Sequence, residues 1–256
     1  MFCYQCQETA KNEGCTVQGV CGKTEDTANA QDLLVYVTKA LAEFTNRIAD
    51  DNEEVYDRIS NNLFVTITNA NFDKDAIMKV VKETIKMKDE LIEKLDNKDN
   101  LSEIALYSSM DDNELERKAI EVGVLNTMNE DERSLVELTT YGLKGMAAYN
   151  HHANVLGYRD KEVDRFIAHA LEETTKSDKE VKSLIDLVMD TGSHGVKAMA
   201  LLDKANTESF GNPEITEVDY SAGDKPAILI SGHDLNDMKM LLEQSKDSGV
   251  EIYTHS

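Results

Sequence analysis

Between residues 32 and 48 the apolar positions Leu33, Leu34, Val37, Leu41, Phe44 and Ile48 recur at steps of three and four, the stripe of an amphipathic helix. The same period places Val55, Tyr56, Ile59 and Leu63 on a second helix. A third carries Ile77, Val80, Val81, Ile85, Leu91 and Leu95, with lysines and glutamates on its outer face. A longer one runs between residues 130 and 156 through Leu135, Leu138, Tyr141, Leu143 and Met146, and Asn129 followed by Glu132 supplies its N-cap. Ser177 with Glu180 reads as a capping box ahead of Val181, Leu184, Ile185 and Val188. A last helix is expected to hold Val196, Met199 and Leu202. No strand-like alternation intrudes before about residue 210, so residues 1–209 read as a domain of helical bundles.

The pattern changes at residue 210. Residues 210–226 are rich in Gly, Pro, Asp and Ser and read as a linker. Residues 227–231 then read as a buried strand, 232–234 as a turn, and 235–245 as a helix with Leu241 and Leu242 inward. A second strand follows at 250–254. This is one β-α-β unit with a right-handed crossover, the start of a Rossmann-like α/β domain over 227–256. A lone parallel pair leaves both edges unpaired and a face bare, so the unit reads as truncated or as needing a missing part. The expected fold class is mainly α, followed by the beginning of an α/β domain.

Composition sharpens this picture. The 256 residues hold 27 Lys plus Arg against 49 Asp plus Glu, a formal net charge of -22. Such a surface disfavours nucleic acid and an anionic membrane, both of which need a basic face. No apolar run approaches the roughly 20 residues that span a bilayer. Only two prolines occur, in keeping with long uninterrupted helices. Most of the acidity reads as solvated helix face, although it would also suit a basic electron donor. His151 and His152 lack helical metal-pair partners; they, His169 and His194 read as packing or capping residues, and the methionines as core packing.

All four cysteines, Cys3, Cys6, Cys15 and Cys21, fall in the first 21 residues in the pattern C-x2-C-x8-C-x5-C. A disulfide framework would spread them and would follow a secretory signal, for which the residues before Cys3 leave no room. A cytoplasmic location with reduced thiols is expected, where a cysteine cluster holds a metal or reacts. Gly14, Gly19 and Gly22 let the backbone wrap closely around a bulky centre. A single C-x-x-C with uneven spacing favours an iron-sulfur cluster over tetrahedral zinc; zinc and unligated thiols remain the alternatives.

The opening MFCYQCQETA, then GCTVQGVCG at 14–22 and TANAQDLL at 27–34, resembles the start of the hybrid cluster (prismane) family, also called the hydroxylamine reductases. The spacing is similar to that of its anaerobe-type members. The resemblance implies that Cys3, Cys6, Cys15 and Cys21 hold a [4Fe-4S] cubane. ILISGHDL at 228–235 is similar to the strand and turn opening the family's second domain, which implies that His233 ligates a hybrid [4Fe-2S-2O] cluster. The resemblance covers all 256 residues, about the first half of a full-length member. It implies a cytoplasmic iron-sulfur oxidoreductase of nitrogen metabolism. Such an enzyme reduces hydroxylamine to ammonia and water with two electrons and two protons from an external donor; nitric oxide is another implied substrate. Carbon monoxide dehydrogenases share the broad architecture, but the N-terminal motif is closer to the hybrid cluster branch. The hybrid cluster's remaining thiolate and glutamate ligands are absent, so this chain alone is expected to be inactive. The alternative is a non-catalytic electron-transfer fragment carrying only the cubane. No catalytic residue emerges from the sequence.

Overall fold

The computed structural model describes residues 1–48, 52–67, 71–95, 97–176, 179–232 and 234–255. An N-terminal segment carrying one short 3-10 turn leads into α1 (Glu25–Arg47), α2 (Glu53–Val65) and α3 (Lys74–Glu93). The short α4 (Glu103–Leu106) and α5 (Asp112–Glu121) follow, then α6 (Glu130–Val155), α7 (Lys161–Glu173) and α8 (Val181–Phe210). After residues 211–226, which hold no helix or strand, come β1 (Ala227–Ser231), α9 (Leu235–Ser245) and β2 (Glu251–His255). The protein is therefore mainly α with a small two-stranded parallel sheet, registered from Ala227 opposite Glu251 to Ser231 opposite His255.

Local chemistry sets most helix starts. The side chains of Thr24, Asn52, Asp73, Asp111, Asn129, Asp160 and Asp234 each accept a backbone N–H in the first turn of the helix that follows. Acidic residues crowd the first turns, where the helix dipole favours them, so part of the negative charge is structural. Two apolar cores result. The first half of α1 (Leu33, Leu34, Val37) packs against Ile77, Val81 and Ile85 of α3 and Leu115 of α5. The second half (Leu41, Phe44) joins α2, α6, α7 and α8 through Ile59, Leu63, Leu143, Ile167 and Leu187. Asn62 of α2 bridges the layers, its amide donating to Thr38 at 3.0 Å and Thr84 at 2.8 Å. Arg159, just before α7, reaches Asp57 of α2 and Asp164 of α7, the latter at 2.7 Å and almost wholly buried. Asn150 of α6 also donates to Asp164 at 2.8 Å.

Several expectations need correction. The two helices expected after residue 180 are one continuous α8, because Gly192 and Gly195 sit inside it without a break. Its N-cap is Glu180, which makes no side-chain cap, and the expected partner Ser177 lies outside the described residues. Helices α4, α5 and α7 are additional to those expected. β1 forms where expected but is not buried: Leu229 is 72% exposed, since among the described residues β2 alone pairs with it. For the same reason α9 buries no residue and Leu242 stays exposed, while Leu241 is partly covered. Val181, Ile185, Met189, Val196 and Met199 are exposed along α8, so the methionines are only partly core residues. The α6 stripe likewise leaves Leu138 and Tyr141 exposed.

Candidate metal centre

The N-terminal segment folds back on itself before α1 begins. Cys3 and Cys15 form an isolated antiparallel bridge, with Cys3 N donating to Cys15 O at 3.0 Å and Cys15 N to Cys3 O at 2.8 Å. Cross-strand partners in such a pair point their side chains to one face. The Thr9 hydroxyl donates to Cys3 O at 3.0 Å and pins the turn between them. All four cysteines are free; Cys15 is buried, Cys3 and Cys6 are half-buried, and Cys21 is exposed. Gly19 is needed at close quarters, because a Cβ there would lie 3.0 Å from Cys21 Sγ.

The segment is prepared for thiolate. Ala10 N donates to Cys15 Sγ at 3.5 Å. That contact first, then the Val20 backbone N–H, lowers the Cys15 thiol below its ordinary range, against the opposing effect of burial. Lys23 adds a smaller favourable charge. N–H groups aimed at sulfur and a nearby cation are what a thiolate-ligated centre requires.

The segment rests on α6. The Tyr141 hydroxyl donates to the Gln5 carbonyl, and Tyr4 donates to Glu137 Oε2 at 2.9 Å. The Tyr4 and Tyr141 rings lie 6.3 Å apart between the cysteine turn and the helix. Burial, followed by the charges of Cys6 and Cys3, raises the Tyr141 phenol above its usual range. Behind this layer lies a cavity of about 420 Å³ lined by Cys3, Tyr4, Asp32 and Lys39 of α1, and Glu137 and Lys144 of α6. Burial dominates there, pushing the Asp32 carboxyl up to about 7 and the Lys144 ammonium down to about 8. Sequence reasoning did not single out this charged group. Its signal is present nonetheless: Asp32 and Lys39, like Glu137 and Lys144, stand seven residues apart, two turns along one helix face.

Among the described residues no group of three or more His, Cys, Asp or Glu is gathered tightly enough for a single metal ion. A cluster makes a different demand, because each thiolate goes to a separate iron and the ligands stand wider apart. The four free thiols in one glycine-rich segment, with Cys15 already accepting an N–H, fit such a group in chemical type. His233 lies outside the described residues. Its neighbour Asp234 caps α9 and pairs with His152 Nδ1 of α6 at 3.4 Å. Two of the histidines expected to pack do so: His151 stacks on Phe64 at 4.8 Å and His194 on Phe166 at 3.7 Å; the packing expected of His169 is not found. His169 is exposed. No helix among the described residues is long and apolar enough to cross a membrane.

Fold and site define the class first: a mainly helical protein with a four-thiol N-terminal segment docked on a long helix and a β-α-β unit at its far end. The chain belongs to the Prismane/CO dehydrogenase family, which it matches over residues 1–256. It is 52% identical over 259 aligned residues to the hydroxylamine reductase of Bacteroides thetaiotaomicron, covering 100% of this chain and 47% of that protein. It is 49% identical to the hydroxylamine reductase of Desulfovibrio desulfuricans and 50% identical to that of Methanocaldococcus jannaschii, covering 48% of each. The chain thus spans about half the length of the curated relatives it matches.

Proposed function

We propose that the chain is the N-terminal half of a hydroxylamine reductase-type iron-sulfur oxidoreductase, in which Cys3, Cys6, Cys15 and Cys21 hold a [4Fe-4S] cubane. The carrying observation is the free four-cysteine segment, closed by the Cys3–Cys15 bridge and with Cys15 Sγ already accepting a backbone N–H. The whole-chain identity to proteins named hydroxylamine reductase supports the same reading. When bound, the cubane supplies one-electron transfer. The protein's part is to orient the thiolates, to stabilise their charge with N–H groups and Lys23, and to shield one side with Tyr4 and Tyr141.

In this reading the whole protein converts hydroxylamine, two electrons and two protons to ammonia and water, with nitric oxide a second candidate substrate. An external donor supplies the electrons. His233 would be one ligand of the hybrid cluster, the rest coming from sequence that the relatives carry beyond the matched half. Helix α6 bears on both sites: Tyr141 holds the cysteine segment and His152 meets Asp234, beside position 233. Eleven residues of helix separate those two anchors, roughly 16 Å of axis. The same reading takes 1–209 as one domain and 227–256 as the start of a second. Because the chain holds no cysteine beyond Cys21, electron transfer without catalysis is the reading for this chain by itself.

Substitution tests the assignment. Cys6→Ser is expected to abolish iron and acid-labile sulfide binding in anaerobically loaded protein, whereas His233→Ala leaves the cubane's visible absorption intact. Unchanged iron in the Cys6 variant would refute the ligand set.

A further inference from the structure

Four charged side chains face one cavity and are poorly served by the protein itself. Asp32 and Lys39 have no hydrogen-bonding side-chain partner among the described residues, and Lys144 reaches only Gln5 Oε1, at 3.4 Å. Glu137 is engaged by the Tyr4 hydroxyl at 2.9 Å. Charged groups in a partly dry cavity hold their protons by a narrow margin, because burial disfavours each charge while the opposite neighbour favours it. Asp32 is the group most exposed to this balance. Burial and Glu137 favour its neutral form, while Lys144, Lys23 and the chain's amino terminus favour the carboxylate.

One of the four cysteines, Cys3, lines the same cavity as Asp32. Lys144 feels the charges of both Asp32 and Cys3. Negative charge added at the cysteine segment therefore reaches a carboxylate that is already close to protonation. None of the contacts assigned above to cluster binding uses Asp32, Lys39 or Lys144.

We propose that this cavity is a redox-linked proton site: Asp32 takes up one proton for each electron that enters the cluster held by the four cysteines, with Lys39, Glu137 and Lys144 setting its affinity. The proposal rests on the cubane reading above and adds to it the path of the proton. The step balances simply. One electron arrives from an external one-electron reductant, and one proton passes from cavity water to an Asp32 carboxylate oxygen, forming an O–H bond. Both leave when the centre is reoxidised. The physical reason is like-charge repulsion, since an added negative charge raises the proton affinity of a neighbouring carboxylate. Other titratable groups face the same space. Tyr4 comes from the N-terminal segment and Tyr141 from α6, while the amino terminus, paired with Glu25 at 2.8 Å, acts on Asp32 through its charge. Glu103, Lys118 and Glu121 line it as well, with Tyr36. Burial keeps Tyr4 and Tyr141 protonated well above neutral pH, so neither competes with Asp32 there. The proposed reduction of hydroxylamine consumes protons and electrons in equal number, and a proton held beside the entering electron suits that stoichiometry.

The test is a reductive titration of the full chain, loaded anaerobically with iron and sulfide, from about pH 5.5 to about pH 9, following the cluster's absorption. The midpoint potential is expected to fall with pH around neutrality, by up to about 59 mV for each tenfold drop in proton activity. Asp32→Asn should flatten that slope while the absorption per chain stays unchanged. Lys144→Gln removes a cation that favours the carboxylate, and should move the sloping region to higher pH. A pH-independent potential in the unmodified protein, or an undiminished slope in Asp32→Asn, overturns the proposal. Should Asp32→Asn fail to fold, an unmoved profile in Lys144→Gln overturns it equally. Failure of the unmodified chain to take up any cluster refutes the cysteine reading itself, and the proton site with it, and is told apart at once by the missing absorption.

Discussion

Asp32 lies on the side of α1 turned away from the Leu33, Leu34, Val37 and Leu41 stripe, and burial in the cavity it lines pushes its carboxyl up to about 7 from its ordinary 3.8. A carboxyl raised on folding binds its proton more tightly in the folded than in the unfolded chain. The stabilising contribution is complete below about 3.8 and is lost as the pH rises through about 7. Asp32→Asn mimics the protonated form, so in urea unfolding it should match the unmodified chain only below about pH 3.8. Near pH 8 it should be more stable by about 1–2 kcal/mol, discounted for water in the cavity. Equal stability at both pH values would show that the carboxylate is well solvated. At this scale the sequence was partly legible. The four cysteines declare themselves by spacing, whereas Asp32, Lys39, Glu137 and Lys144 become one group only when α1 and α6 face each other across the cavity.

At the scale of elements, α1, α2, α3 and α6 were readable because each carries large core residues at the helical period, α1 being buried on nearly every side. Helix α7 was passed over although Val163, Phe166, Ile167, Ala170 and Leu171 keep the helical period behind an Asp160 cap. Its start combines the local Asp160 cap with Arg159, which is held by Asp57 and Asp164 from two helices. Replacing Arg159 with Met leaves Asp164 buried without its cation. The expected cost is about 3 kcal/mol, checked by thermal or urea unfolding. A loss below roughly 0.5 kcal/mol would mean that Asn150 alone satisfies that carboxylate. The burial of β1 and α9 was misjudged for the opposite reason. An apolar run shows that a segment wants cover, and only the three-dimensional neighbourhood shows whether cover is present.

At the scale of the whole molecule, the helical body presents a thiol-rich segment at one end of the cavity and a β-α-β unit beside the C-terminal end of α6. The family assignment rests on the entire chain, and the relatives are about twice as long. Composition conveyed an acidic chain with long helices; it could not convey which face of α8 would remain bare, as Met189 does at 68% exposure. The central claim is that the four N-terminal cysteines hold one iron-sulfur cubane. The most direct measurement is iron, acid-labile sulfide and zinc per chain after strictly anaerobic purification. About four irons with matching sulfide is the predicted result. Zinc without sulfide, or no metal with four titratable thiols, would contradict it.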